Sequence, residues 1–199
     1  MSNISSDLEE YIQDYIESYL IPLARSVLSL LPGIRNKKNT IVLSSSGTSV
    51  TVIPEETNYV LQIYKSQSIF RKIVTFLNTV HEHPDPRTKY IVQGNAVTDG
   101  IIKYKKLHPL NAFASDISAS SSKLIKSNYR QIEQDIKNAI AYLHSIKVRH
   151  GDTRIDNIGY DLESNVFVLF DYDKISLTLT RAGAEDDNEI FKESLERFK

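Results

Sequence analysis

Alternation between two hydrophobic periods constrains the fold of this 199-residue chain most tightly. Residues 40–43, 49–53 and 58–65 form short runs rich in Val, Ile, Thr and Tyr, with the turn Ser44–Thr48 between the first two, and these predict three strands. Between residues 67 and 81 the period becomes helical, with Ile69, Phe70, Ile73, Phe76, Leu77 and Val80 on one side and Pro84 and Pro86 beyond its end. Strand character returns over 90–97 and 101–107 around Asp99-Gly100, a hairpin signal. The segment 109–122 is expected to be a loop with at most a short helix. Residues 127–146 form the clearest helical pattern, through Tyr129, Ile132, Ile136, Ala139, Ile140 and Leu143. A short strand at Val148, a loop, a strand pair near 157–160 and 166–170, and a helix over 185–198 complete the order. Strands interrupted by one helix and followed by a mostly helical half predict an α+β fold rather than a doubly wound parallel sheet. Ahead of all this, residues 6–31 are expected to be an amphipathic helix, kinked at Pro22 and ended by Pro32-Gly33.

Composition narrows the chemistry. The chain has no cysteine, which removes disulfides, thiolate metal sites and cysteine nucleophiles. A formal net charge of −1 indicates no global attraction to nucleic acid. No apolar stretch of about 20 residues is present, so no membrane span is expected. The polar, acidic start resembles neither a secretory nor a transit signal, and an intracellular, cytoplasmic protein is expected (the host cytosol for a viral or effector protein). The histidines share no short spacing of the kind zinc sites use.

The chemically distinctive segment is His150-Gly151-Asp152-Thr153-Arg154-Ile155-Asp156-Asn157, followed by Asp171-Tyr172-Asp173 directly after an apolar strand. Asp152 and Asn157 fall on one loop, and Asp171 returns toward it across a hairpin. Oxygen ligands of this kind suit Mg²⁺. Transfer of a phosphoryl group needs positioned phosphates, charge neutralisation and a carboxylate that orients the acceptor hydroxyl.

This pattern resembles the protein-kinase-like superfamily. His150-Gly151-Asp152 is similar to its H-x-D catalytic loop, Asn157 to its metal-binding Asn, and Asp171-Tyr172-Asp173 to its DFG segment. The Gly after His resembles the aminoglycoside and choline kinase-like branches more than typical protein kinases. The resemblance implies a two-lobed fold: a helical extension over 1–33, a five-stranded antiparallel N-lobe over 34–107, and a reduced, mostly helical C-lobe over 108–199. It implies ATP and Mg²⁺ as cofactors, Asp152 as catalytic base, Asn157 and Asp171 as metal ligands, and His150 as support for the loop. Lys65, at the end of a strand similar to V-A-I-K, would meet the α and β phosphates, and Ser46 and Gly47 stand where a Gly-rich loop would approach them.

The chain departs from the family pattern in several places. Asp173 replaces the usual Gly, and the turn at 44–48 has one glycine rather than three. Residues 67–81 hold no acid to pair with Lys65, and Glu82 is the nearest candidate. Only 28 residues (172–199) follow Asp171, too few for an ordinary C-lobe. Asp186 or Asp187 is a candidate to anchor the catalytic loop from the last helix. The implied activity is γ-phosphoryl transfer from ATP to a hydroxyl of a protein or small molecule, with a protein partner as one way to complete the reduced C-lobe. The alternative is a pseudokinase or nucleotide-binding interaction module without transfer.

Overall fold

The computed structural model describes residues 39–43, 48–110 and 119–199. The expected helix over 6–31, and Ser46 and Gly47, lie outside the described residues. Five strands build an antiparallel sheet: β1 (Asn39–Leu43), β2 (Ser49–Pro54), β3 (Tyr59–Tyr64), β4 (Gly94–Thr98) and β5 (Ile101–Lys105), in the order β1-β2-β3-β5-β4. A second sheet pairs β6 (His108–Pro109), β7 (Ile158–Asp161) and β8 (Val166–Leu169). The helices are α1 (Gln67–Glu82), α2 (Ala119–Ser127), α3 (Tyr129–Ser145) and α4 (Arg181–Glu196). The chain is therefore a mixed α+β protein with antiparallel sheets. Among the described residues, no helix is long and apolar enough to cross a membrane.

Local chemistry explains the helix starts. Ser66 caps α1 by accepting from Ile69 N, and Thr180 caps α4 by accepting from Gly183 N at 3.0 Å. The second cap starts α4 four residues ahead of the expected 185. Phe70, Ile73, Phe76, Leu77 and Val80 form the buried stripe of α1, and Ile132, Ile136, Ala139, Ile140 and Leu143 that of α3. Both stripes join one hydrophobic cluster with β8, Tyr172, Phe191 and Leu195. All four residues of β8 are buried, as its unbroken apolar run requires.

Two expectations fail locally. Strand was expected over 90–97, but Pro86–Tyr90 is a 3₁₀ turn and β4 begins only at Gly94. Asp85 caps that turn, accepting from Arg87 N at 2.7 Å, with Pro86 preset for a first helical position. Ile91 and Val92 are diverted to the second sheet, where Ile91 bridges Leu169 and Val92 N donates to Leu169 O at 2.9 Å. Within the segment expected as a loop with room for a short helix, Ala119 to Ser122 belong to α2 and His108–Pro109 pairs with β7, while residues 111–118 lie outside the described residues.

The two sheets are joined where β5 runs into β6. Lys105 Nζ lies 2.8 Å from Asp161 Oδ2 and 2.7 Å from Glu163 Oε2, on the β7–β8 hairpin.

Candidate active site

The loop after α3 is fixed by the Ser176 segment and by α4. Arg149 and Ser176 exchange backbone hydrogen bonds, each 2.9 Å long. Asp187 of α4, fully buried, accepts from His150 N at 3.0 Å, from Gly151 N at 2.9 Å and from His144 Nε2 at 3.0 Å. Thr153 Oγ1 donates to the Asp187 carbonyl at 2.5 Å, and Ser194 Oγ of the same helix accepts from Ile155 N at 3.1 Å. Of the two adjacent acids considered as anchors, Asp187 therefore holds the loop, while half-exposed Asp186 pairs with Arg149 at 3.0 Å.

His150 is fully buried and orients the residues on either side of the site. Its Nε2 donates to Phe170 O at 3.2 Å, and its Nδ1 accepts from Asp152 N at 3.2 Å. These two bonds require the neutral Nε2–H tautomer. Burial lowers its pKa to about 4, against the opposing pull of Asp187 and Asp152, so the ring is neutral at physiological pH.

Asp152, Asn157 and Asp171 are linked through the backbone. Asn157 Nδ2 donates to Asp152 O at 2.9 Å, and Phe170 N donates to Asn157 O at 2.9 Å. Asp171 follows directly, with φ of 66°, a left-handed conformation that Asp tolerates better than most residues. Tyr172 swings into the core, where its hydroxyl donates to Val92 O at 2.9 Å and its ring meets Phe76 edge-on at 4.6 Å. Its ring also lies 5.6 Å from His150. The Asp171 and Asp173 carboxylates are thereby held on either side of a buried anchor.

The charges in this cluster are unevenly compensated. Burial raises Asp171 to about 6, with further upward pressure from the Asp173 charge and, more weakly, from Asp152. Among the described residues, Asp171 Oδ1 is buried without a hydrogen-bond partner. The nitrogen of the Asn157 amide is committed to Asp152 O, which leaves its oxygen for a cation. By donor chemistry, a carboxylate and an amide oxygen are the ligand types that Mg²⁺ takes alongside phosphates and water. Among the described residues, no group of three or more His, Cys, Asp or Glu is arranged to hold a metal by itself.

Asp152 is compensated twice. Its Oδ1 accepts from Arg154 Nε at 2.6 Å, and its Oδ2 from Arg154 Nη2 at 3.1 Å and Lys174 Nζ at 2.8 Å. Burial pushes this carboxyl upward, but hydrogen bonds from Arg154 and then Lys174, together with their charges, outweigh it and hold the group below the ordinary range. Gly151 makes the Lys174 approach feasible. Its φ is +82°, and a Cβ there would stand 2.6 Å from Lys174 O. Neither Arg154 nor Lys174 stands out in the sequence as a site residue. Arg154 sits two positions from Asp152, which is a usable signal, but Lys174 is brought in from 22 residues away (174 − 152) and carries none.

Lys65 lies just past β3, partly buried, and its N–H donates to Thr48 O at 3.1 Å. Thr48 Oγ1 in turn donates to Asp173 Oδ2. One residue thus bridges Lys65 to the Asp171–Asp173 segment. Glu82, the proposed carboxylate partner of Lys65, is not in position. Lys65 precedes the first turn of α1 and Glu82 is its last residue, so the helix separates them by roughly 20 Å at 1.5 Å per residue. Glu82 is exposed there. No protein-family model matches this chain, and no curated protein matches it.

Proposed function

We propose that this chain is an ATP-dependent phosphotransferase with a two-lobed, protein-kinase-like arrangement, in which the five-stranded sheet is the N-lobe and residues 108–199 a reduced C-lobe. The observation that carries the reading is the linkage of Asp152, Asn157 and Asp171 around a buried carboxylate oxygen of Asp171 that has no hydrogen-bond partner among the described residues. Burying such an oxygen without a donor is costly, and a cation offsets that cost. In this reading the acceptor hydroxyl, on a protein or small molecule, is oriented by Asp152, which takes its proton as the oxygen attacks the γ-phosphorus and ADP departs. Asn157 and Asp171 hold Mg²⁺, which when bound neutralises charge on the transferring phosphates. Lys65 binds the α and β phosphates.

One observation favours a nucleotide-binding module without transfer: Arg154 and Lys174 occupy both oxygens of the Asp152 carboxylate. Melting curves with ATP, with and without Mg²⁺, combined with assays of phosphoryl transfer, separate the two readings. A Mg²⁺-dependent rise in Tm of several degrees, abolished by Asp171→Ala, is expected for either. Transfer or hydrolysis lost in Asp152→Asn is expected only for the enzyme. No Tm response to Mg²⁺ and ATP would rule out both.

A further inference from the structure

The base proposed above is masked by two cations. Among the described residues, every hydrogen bond to the Asp152 carboxylate comes from Arg154 or Lys174, and both its oxygens are engaged. The carboxylate itself is buried, whereas the Arg154 and Lys174 side chains are 50% and 61% exposed. The cations therefore form the outer face of the site, between Asp152 and solvent. Asp156 Oδ2 lies 3.9 Å from Arg154 Nη1, bracketing the guanidinium on its other side.

Both cations stand on the solvent side, so an acceptor hydroxyl that approaches the carboxylate from solvent displaces at least one of these donors. A neutral acceptor would have to break a charge-assisted bond and leave a cation without its partner. A cationic acceptor would add repulsion from both. An acceptor with its own anion replaces Asp152 as the partner of the displaced cation, so the exchange conserves ion pairing.

Resting on the phosphotransferase reading, we infer that Arg154 and Lys174 form an anion-binding fork that selects an acceptor carrying a phosphate or carboxylate beside its reactive hydroxyl. Drawing the two cations toward that anion also frees the Asp152 oxygens that they occupy. The selecting contact thus also unmasks the base. In the step itself, the acceptor oxygen bonds to the γ-phosphorus, the bond to the β–γ bridging oxygen breaks, the proton passes to Asp152, and ADP leaves.

The test compares sn-glycerol 3-phosphate with glycerol, and a serine peptide flanked by Asp with one flanked by Lys, as acceptors for the full chain with ATP and Mg²⁺. The anionic member of the favoured pair should be preferred by about tenfold or more in kcat/KM, and Arg154→Met with Lys174→Met should collapse that preference. Which pair responds tells a small-molecule anion from an acidic peptide. Equal use of both members, preference for the neutral or basic member, or a preference that survives the double variant would overturn the inference. Loss of ATP affinity in the double variant with an unchanged acceptor preference would assign the fork to the nucleotide instead. Should no phosphoryl transfer be seen with any acceptor or water, the transferase reading fails, and binding still decides the fork. Thermal shift with sn-glycerol 3-phosphate and with the Asp-flanked peptide should then exceed that with glycerol and the Lys-flanked peptide. That excess should vanish in Arg154→Met/Lys174→Met, and its absence in the parent would sink the fork.

Discussion

At the scale of single residues, Asp171 sets stability against function. Its folded pKa of about 6 lies above the ordinary aspartate value of 3.8. The folded state consequently holds that proton more tightly, and the penalty for ionising Asp171 grows as pH rises from about 4 to 6 and is complete above 6. Asp171→Asn removes the charge while keeping a side chain that accepts a left-handed backbone. It should raise unfolding free energy at pH 7 by on the order of 2 kcal/mol and lose Mg²⁺-dependent nucleotide binding. Urea titrations of both proteins from pH 4 to 8 check this, with the difference largest above pH 6 and shrinking toward zero near pH 4. A difference independent of pH would contradict it. His150 has the opposite slope, since its depressed pKa favours the fold as pH rises from about 4 toward 6.5, but it is common to both proteins and cancels in the comparison.

At the scale of elements, α4 acts as a clamp on the loop at 150–155. Asp187→Ala leaves two loop N–H groups and the His144 ring without their acceptor, and should cost about 3 kcal/mol or more, with activity lost even where the chain folds. Asp186→Ala, on the exposed neighbour, should cost below about 0.5 kcal/mol. Equal effects in urea denaturation would refute the clamp. This pair also marks how far the sequence could be read. The first sheet's strands, the β7–β8 pair, α1, α3, α4 and both buried helical stripes follow from periodicity, whereas the strand expected at Val148 is only a bridge between Arg149 and Ser176 and β6 has no signal of its own; Asp152, Asn157 and Asp171 stand in the sequence at spacings that the fold joins. Which of two adjacent acids faces the loop depends on how α4 packs, and α4 starts at the Thr180 cap, four residues ahead of the expected 185. Ile91 and Val92 have ordinary strand character, yet whether they pair with β5 or with Leu169 is a tertiary choice. Lys174 reaches Asp152 through a close approach at Gly151, a contact that has no local signature.

At the scale of the whole molecule, the first sheet and the β7–β8 hairpin are tied by Lys105, and the burial of its partners decides what each contributes. Asp161 is nearly buried and also accepts from Glu163 N and Ser164 Oγ, whereas Glu163 is 81% exposed. Asp161→Ala should therefore lower stability by about 1–2 kcal/mol, and Glu163→Gln by less than about 0.5 kcal/mol, in the same urea assay. A larger loss at Glu163 would show that the exposed pair is the tie. The arrangement of Tyr172 carries a different implication. The ring that separates the two aspartates is also a core residue, closed in by Phe76, His150 and the Val92 carbonyl. Asp171 and Asp173 cannot swing away from the loop while that ring stays in place. The aspartates therefore have no separate melting point, and the working lifetime of the site on heating is the lifetime of the packed interior itself.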